Sequence, residues 1–105
     1  MNSVTLIGNL ASDVELRELG EDRKVANFLL AVDRPGKDDR ADFVQVACWN
    51  RVADSCGRFL SKGRRVAIDG RLRSRSWEEE GRRRTAVEVV ASSVEFLGAP
   101  PETTI

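Results

Sequence analysis

The chain has 105 residues, 41% hydrophobic and 32% charged, with 17 basic and 17 acidic side chains and a formal net charge of zero. That length fits one domain with a single modest core. No apolar run approaches the ~20 residues of a membrane span, and the start MNSVTLIGNL has no basic segment ahead of its apolar stretch, so a cytoplasmic protein is expected.

Histidine is absent, which removes the usual base near neutral pH, the commonest metal ligand and most triad chemistry. Cys48 and Cys56 have no second cysteine pair to complete a zinc site, and free buried thiols are the default for both. No enzyme activity, cofactor or metal is expected.

The segment VTLIGNL, residues 4–10, is a short apolar strand in which Gly8 marks a bend or bulge. A polar stretch from Ala11 to Lys24 leads to a second strand, residues 25–33, where Phe28, Leu30 and Val32 alternate with Asn27, Leu29 and Ala31. The loop RPGKDDRAD combines proline, glycine and dense charge. A third strand, residues 43–49, divides by parity into Val44, Val46 and Cys48 on a core face and Phe43, Gln45, Ala47 and Trp49 on the other. Two aromatics stand there where a sandwich strand carries polar residues; taken alone, this strand reads as covered by protein on both faces.

From Asn50 to Lys62 the period changes. Val52, Cys56, Phe59 and Leu60 fall at i, i+4, i+7 and i+8, the stripe of an amphipathic helix, with Asn50 as N-cap and Lys62-Gly63 as its end. A fourth strand starts at Arg64, with Val66, Ile68 and Leu72 inward and Arg71, Arg73, Arg75 and Trp77 outward, and with a sharp bend at Gly70. After the charged hairpin EEEGRRR, a fifth strand runs from about Thr85 to Leu97, setting Val87, Val89 and Ala91 against Ala86, Glu88 and Val90. The domain spans residues 1–98, and 99–105 form a short tail. Three strands, one helix and two more strands predict an all-β domain with one helix: a five-stranded OB-fold barrel, the helix lying between strands three and four.

Charge is segregated along the neutral chain. Residues 62–84 hold nine basic and four acidic residues, a local balance of +5. Three alternating arginines fit a solvated strand face as well as a binding surface; the tryptophan on the same face is what asks for a partner. Phe43, Trp49, Arg71, Arg73, Arg75 and Trp77 together suit single-stranded nucleic acid, whose bases stack on aromatic planes and whose phosphates meet guanidinium groups. No element is shaped to enter a duplex groove, and no glycine-rich loop opens a helix to hold a nucleotide phosphate. An adaptor domain that binds protein through this face, and an RNA binder, are the alternatives.

The segments VTLIGNL, VANFLLAV, WNRVADSCGRFLSKGRRVAIDGRLRSRSW and TAVEVVASSVEFLG closely resemble successive stretches of the bacterial single-stranded DNA-binding protein family, over about residues 1–98. The most specific piece is the run from Phe59 to Trp77, with its KG turn and G-x-L-x-x-R-x-W pattern. The resemblance implies a non-enzymatic OB-fold that assembles, typically as a homotetramer, and coats single-stranded DNA with little sequence preference in replication, recombination and repair. A cytoplasmic, nucleoid-associated location follows from the same likeness.

Position by position, Trp49 and Trp77 match stacking aromatics and Phe43 stands where the family often has tryptophan. Arg17, Arg51, Lys62, Arg73 and Arg75 match basic positions that contact the DNA backbone. The family's first strand pairs between subunits, which puts Val4, Thr5, Leu6, Ile7, Gly8, Asn9 and Leu10 at an interface. Two departures stand out. The loop from Asp33 to Asp42 is short and, near Gly36, lacks an aromatic that many members use for stacking, so a reduced affinity or site size is expected. The sequence here closes on PPETTI where members usually continue to an acidic tip that recruits replication and repair enzymes: it is either truncated or that of a tail-less paralogue, and recruitment of those enzymes as partners is left open.

Overall fold

The structure is a computed structural model and describes residues 1–36 and 40–98; the expected tail at 99–105 and the middle of the Asp33–Asp42 loop lie outside the described residues. In chain order the elements are β1 (Val4–Leu10), β2 (Glu15–Glu18), β3 (Lys24–Asp33), β4 (Ala41–Trp49), α1 (Asn50–Phe59), β5 (Arg65–Glu79) and β6 (Arg82–Leu97). The strands follow one another as β1-β5-β6-β4-β3-β2, and β1 also pairs with β3. That last pairing closes β1, β5, β6, β4 and β3 into the expected five-stranded barrel. All pairings are antiparallel except β4 with β6.

Closure depends on β1 serving two partners. Val4 to Asn9 pair with Gly70 to Arg65 of β5, while Asn9 and Leu10 pair with Ala31 and Leu30 of β3. At the crossing point a Cβ on Gly8 would lie 2.3 Å from the Ala31 carbonyl oxygen, so only glycine allows the backbones to meet. Gly70 solves the same problem on β5: a Cβ there would lie 2.1 Å from the Val90 carbonyl oxygen. The β5–β6 register slips between Asp69 and Gly70, leaving Ser92 as the extra residue of a bulge, with its hydroxyl donating to the Asp69 carbonyl oxygen at 3.0 Å. On β6 the inward parity therefore changes from Val94 and Phe96 to Val89 and Ala91, whereas β5 keeps one parity throughout.

The core forms where these inward rows meet. Phe28, Leu30, Val46, Cys48, Val66, Ile68 and Val89 are each no more than 2% exposed. The helix covers one end of the barrel with Ala53 and Cys56, joined by Leu60 just after its last turn. The Cys48 and Cys56 sulfurs, both in free thiols, approach to 3.9 Å across this seam.

Several expectations need correction. The polar stretch after β1 contains a sixth strand, β2, which the sequence hid because all four of its residues are exposed and show no apolar alternation. It pairs along β3 from Glu15–Asn27 to Glu18–Lys24. The helix thus follows the fourth strand in chain order but still the third strand of the barrel. Trp49, not Asn50, is the N-cap, and the Asn50 side-chain oxygen instead accepts the Lys24 backbone N–H at 3.1 Å.

The helix also ends at Phe59, because Leu60 is already extended, with its N–H still bonded to the Cys56 carbonyl oxygen. Phe59, the last helical residue, lies outside the core, 59% exposed, with its ring 6.3 Å from that of Phe96, while Leu60 after it is buried. The hairpin is tighter than EEEGRRR suggested. Its strands run to a two-residue turn, Glu80-Gly81, with φ of 52° and 77°, the signs of a type I′ turn. Leu72 and Val87 keep their inward parity but are 48% and 60% exposed, because the β5–β6 arm outruns the barrel core.

Gly70→Ala should destabilise the domain by about 1–3 kcal/mol, the usual range for forcing an extra methyl into packed structure, read from the midpoint of urea unfolding. A second outcome concerns the thiols. Hydrogen bonding with Cys56, reinforced by burial, pushes the Cys48 thiol far above its ordinary range. Cys48 should therefore resist iodoacetamide at neutral pH until denaturant is added, which mass spectrometry of the alkylated chain would check.

Candidate nucleic-acid interface

The outward rows of four barrel strands form one wall, and β2 extends it. On β5, Arg71, Arg73, Arg75 and Trp77 stand opposite Val90, Glu88, Ala86 and Arg84 of β6. Val90 is in register with Ala47 of β4, whose outward row is Phe43, Gln45, Ala47 and Trp49. That row continues on β3 through Ala31, Leu29, Asn27 and Val25, and on β2 through Glu15 and Arg17. Strand pairing alone therefore carries the wall from Trp77 to Arg17, across five of the sheet's six strands.

The wall is open. Phe43 is 63% and Trp77 41% exposed, and Trp49 is half-buried, so the expectation from β4 alone that protein covers both faces does not hold. At its centre is a groove of about 420 Å³ lined by Arg17, Asn27, Gln45, Arg75 and Glu88, among others.

Each indole on the wall has a cation beside it. The Arg73 guanidinium lies 5.8 Å and that of Arg23 5.6 Å from the Trp49 ring centroid, and the Arg75 guanidinium lies 5.6 Å from that of Trp77. Arg73 donates from Nε at 3.1 Å and from Nη2 at 2.5 Å to Glu88 Oε1, and Arg75 Nε lies 3.8 Å from the same oxygen. Glu88 itself is 7% exposed, the one buried charged residue among the described residues. Arg71 and Arg17 form no ion pair among the described residues.

The structure thus brings together Phe43, Trp49, Trp77, Arg17, Arg71, Arg73 and Arg75. It does not bring Arg51 and Lys62 to the groove. Arg51, on the first turn of α1, lines a separate hollow of about 260 Å³ with Ser55, Ser93 and Phe96. Lys62 lies in the turn after α1, with its backbone N–H donating to Asp13 Oδ1 at 2.9 Å. Two wall residues escaped the sequence. Arg23 lies in an irregular segment with no periodicity to assign it a face. Glu88 was visible as a charge flanked by Val87 and Val89, but its partner emerges only from the register across the hairpin.

A profile of the single-strand binding protein family matches residues 1–97. The chain belongs to this family. Its relatives include single-stranded DNA-binding protein 1 of Chlorobaculum tepidum, 38% identical over 107 residues that cover 94% of this chain and 66% of that protein. Single-stranded DNA-binding protein 3 of Listeria innocua is 42% identical, over 92% of this chain and 64% of its own length. The single-stranded DNA-binding protein of Clostridium tetani is 45% identical, over 92% and 70%. The chain spans about two-thirds of the length of these family members.

Proposed function

We propose that this domain is a non-enzymatic binder of single-stranded DNA that takes bases of any sequence by stacking on Trp49, Trp77 and Phe43. The observation that carries the reading is the open wall on which two indoles sit beside guanidinium groups. Every base offers a π-face, whereas phosphates occur at each nucleotide, so aromatic planes interleaved with arginine bind a strand without reading it. Arg17 and Arg71 meet the backbone, and Arg51 and Lys62 are available to a strand that continues past the wall. Service in replication, recombination and repair on the bacterial nucleoid is consistent with family membership.

The same reading extends to assembly. Val4 to Gly8 of β1 pair with β5 along one edge and have no strand on the other among the described residues, and Ile7 is 48% exposed there. An apolar strand with a free edge invites pairing with a second copy, and we infer a homo-oligomer, the tetramer typical of the family, held through Val4–Gly8; the expected Asn9 and Leu10 are already paired with β3, and Leu10 lies in the core.

Titration with oligo-dT should quench tryptophan fluorescence, and log affinity should fall with log salt by about 0.7 for each phosphate neutralised. Trp77→Ala should weaken binding by roughly 1–3 kcal/mol; the absence of both quenching and a gel shift at low salt would overturn the assignment. Light scattering should give a mass that is a multiple of the single chain's, lowered by Ile7→Asp. A single-chain mass that this substitution leaves unchanged would remove β1 as the interface.

A further inference from the structure

Resting on the stacking role of the wall, we propose that Glu88 is a positioning residue: it holds Arg73 and Arg75 as internal supports of Trp49 and Trp77, withdrawing them from phosphate. One carboxylate oxygen connects the two pairs. Glu88 Oε1 takes two hydrogen bonds from Arg73, whose guanidinium lies beside the Trp49 ring, and lies 3.8 Å from Arg75 Nε, whose guanidinium lies beside the Trp77 ring. Both indoles are thereby tied to one point at the centre of the β5–β6 pair, where Arg73 stands opposite Glu88.

Charge and solvation make the tie firm. A carboxylate 7% exposed has given up most of its water, and protein donors must take its place. Hydrogen bonds between ions are about twice as strong as those between neutral groups, and Arg73, itself one-third exposed, supplies two of them. A phosphate that drew Arg73 away from Glu88 would break these bonds and strand a buried charge. Arg71 carries no such obligation: it is exposed and forms no ion pair among the described residues. The wall therefore divides its arginines by task, with Arg71 meeting the backbone while Arg73, and less tightly Arg75, support the rings.

The decisive comparison uses the full chain with Glu88→Gln, Arg71→Ala, Arg73→Ala and Arg73→Lys. In the free protein, Glu88→Gln and both Arg73 variants should shift tryptophan emission and raise its quenching by acrylamide, because the ring supports are released; Arg71→Ala should leave both unchanged. With oligo-dT, Glu88→Gln should steepen the salt dependence by about 0.7 for each arginine set free, while Arg71→Ala should flatten it by about 0.7 and Arg73→Ala should leave it unaltered. General loss of structure would flatten the salt dependence and weaken stacking together, not in opposite directions.

A folded Glu88→Gln protein with unchanged emission and salt dependence would overturn the proposal. If Glu88→Gln does not fold, the arginine variants decide: equal flattening by Arg73→Ala and Arg71→Ala would overturn it. Should wild-type protein fail to bind oligo-dT at all, the DNA reading falls, and the emission of the free variants still reports whether Glu88 supports the rings.

Discussion

The domain depends on two backbone contacts too close for any side chain. At Gly8 the first strand comes against the Ala31 carbonyl, and at Gly70 the fifth strand comes against the Val90 carbonyl, each within a distance that a Cβ would occupy. The first contact turns an open sheet into a barrel. The second lets β5 bend while it pairs with β1 on one edge and β6 on the other. Without that curvature, the outward rows of β4 and β5 would lie on a flatter sheet, and Arg73 would not reach Trp49 from two strands away.

Curvature also governs the electrostatics. The chain is neutral as a whole, and its capacity to meet a polyanion comes from placing arginines on one side of a single sheet. Local field, not net charge, decides what an anionic ligand feels. The wall is not uniformly basic, since Glu88 sits beneath Arg73 and Arg75 at the bottom of the groove. A buried anion under cations orders them: it limits how far each guanidinium can wander and so preserves the planar surfaces beside the indoles.

Much of this was legible from residue order because the barrel strands obey period two. Val44, Val46 and Cys48 face one way and Phe43 and Trp49 the other, and the alternation of Arg71, Arg73, Arg75 and Trp77 survives intact because the bulge falls on β6 rather than β5. Gly8 and Gly70 were readable as bends for the same reason, as gaps in apolar rows. What escaped has physical causes. The β2 strand has no buried side, so hydrophobicity could not mark it. Phe59 suited the helical stripe, but the face that packs on the barrel is set by Ala53 and Cys56 and leaves Phe59 largely exposed at the helix end. The Glu88 pairing was recoverable in principle: once the turn is fixed at Glu80-Gly81, counting outward sets Arg73 against Glu88, yet a longer assumed hairpin concealed that register. Arg23 reaches Trp49 from outside any regular element, and no periodic rule reports such a contact.

The β5–β6 arm beyond the bulge has a thermodynamic consequence. Its inward residues Leu72 and Val87 are about half exposed, so little apolar burial resists its opening, whereas Trp49 sits on a strand backed by Val46 and Cys48 in the sealed interior. Segments with few buried contacts open locally at lower free energy than the domain as a whole. The two indoles that share one wall accordingly sit on segments of unequal burial, and amides along the arm around Trp77 should exchange faster than those of β4 that lead to Trp49.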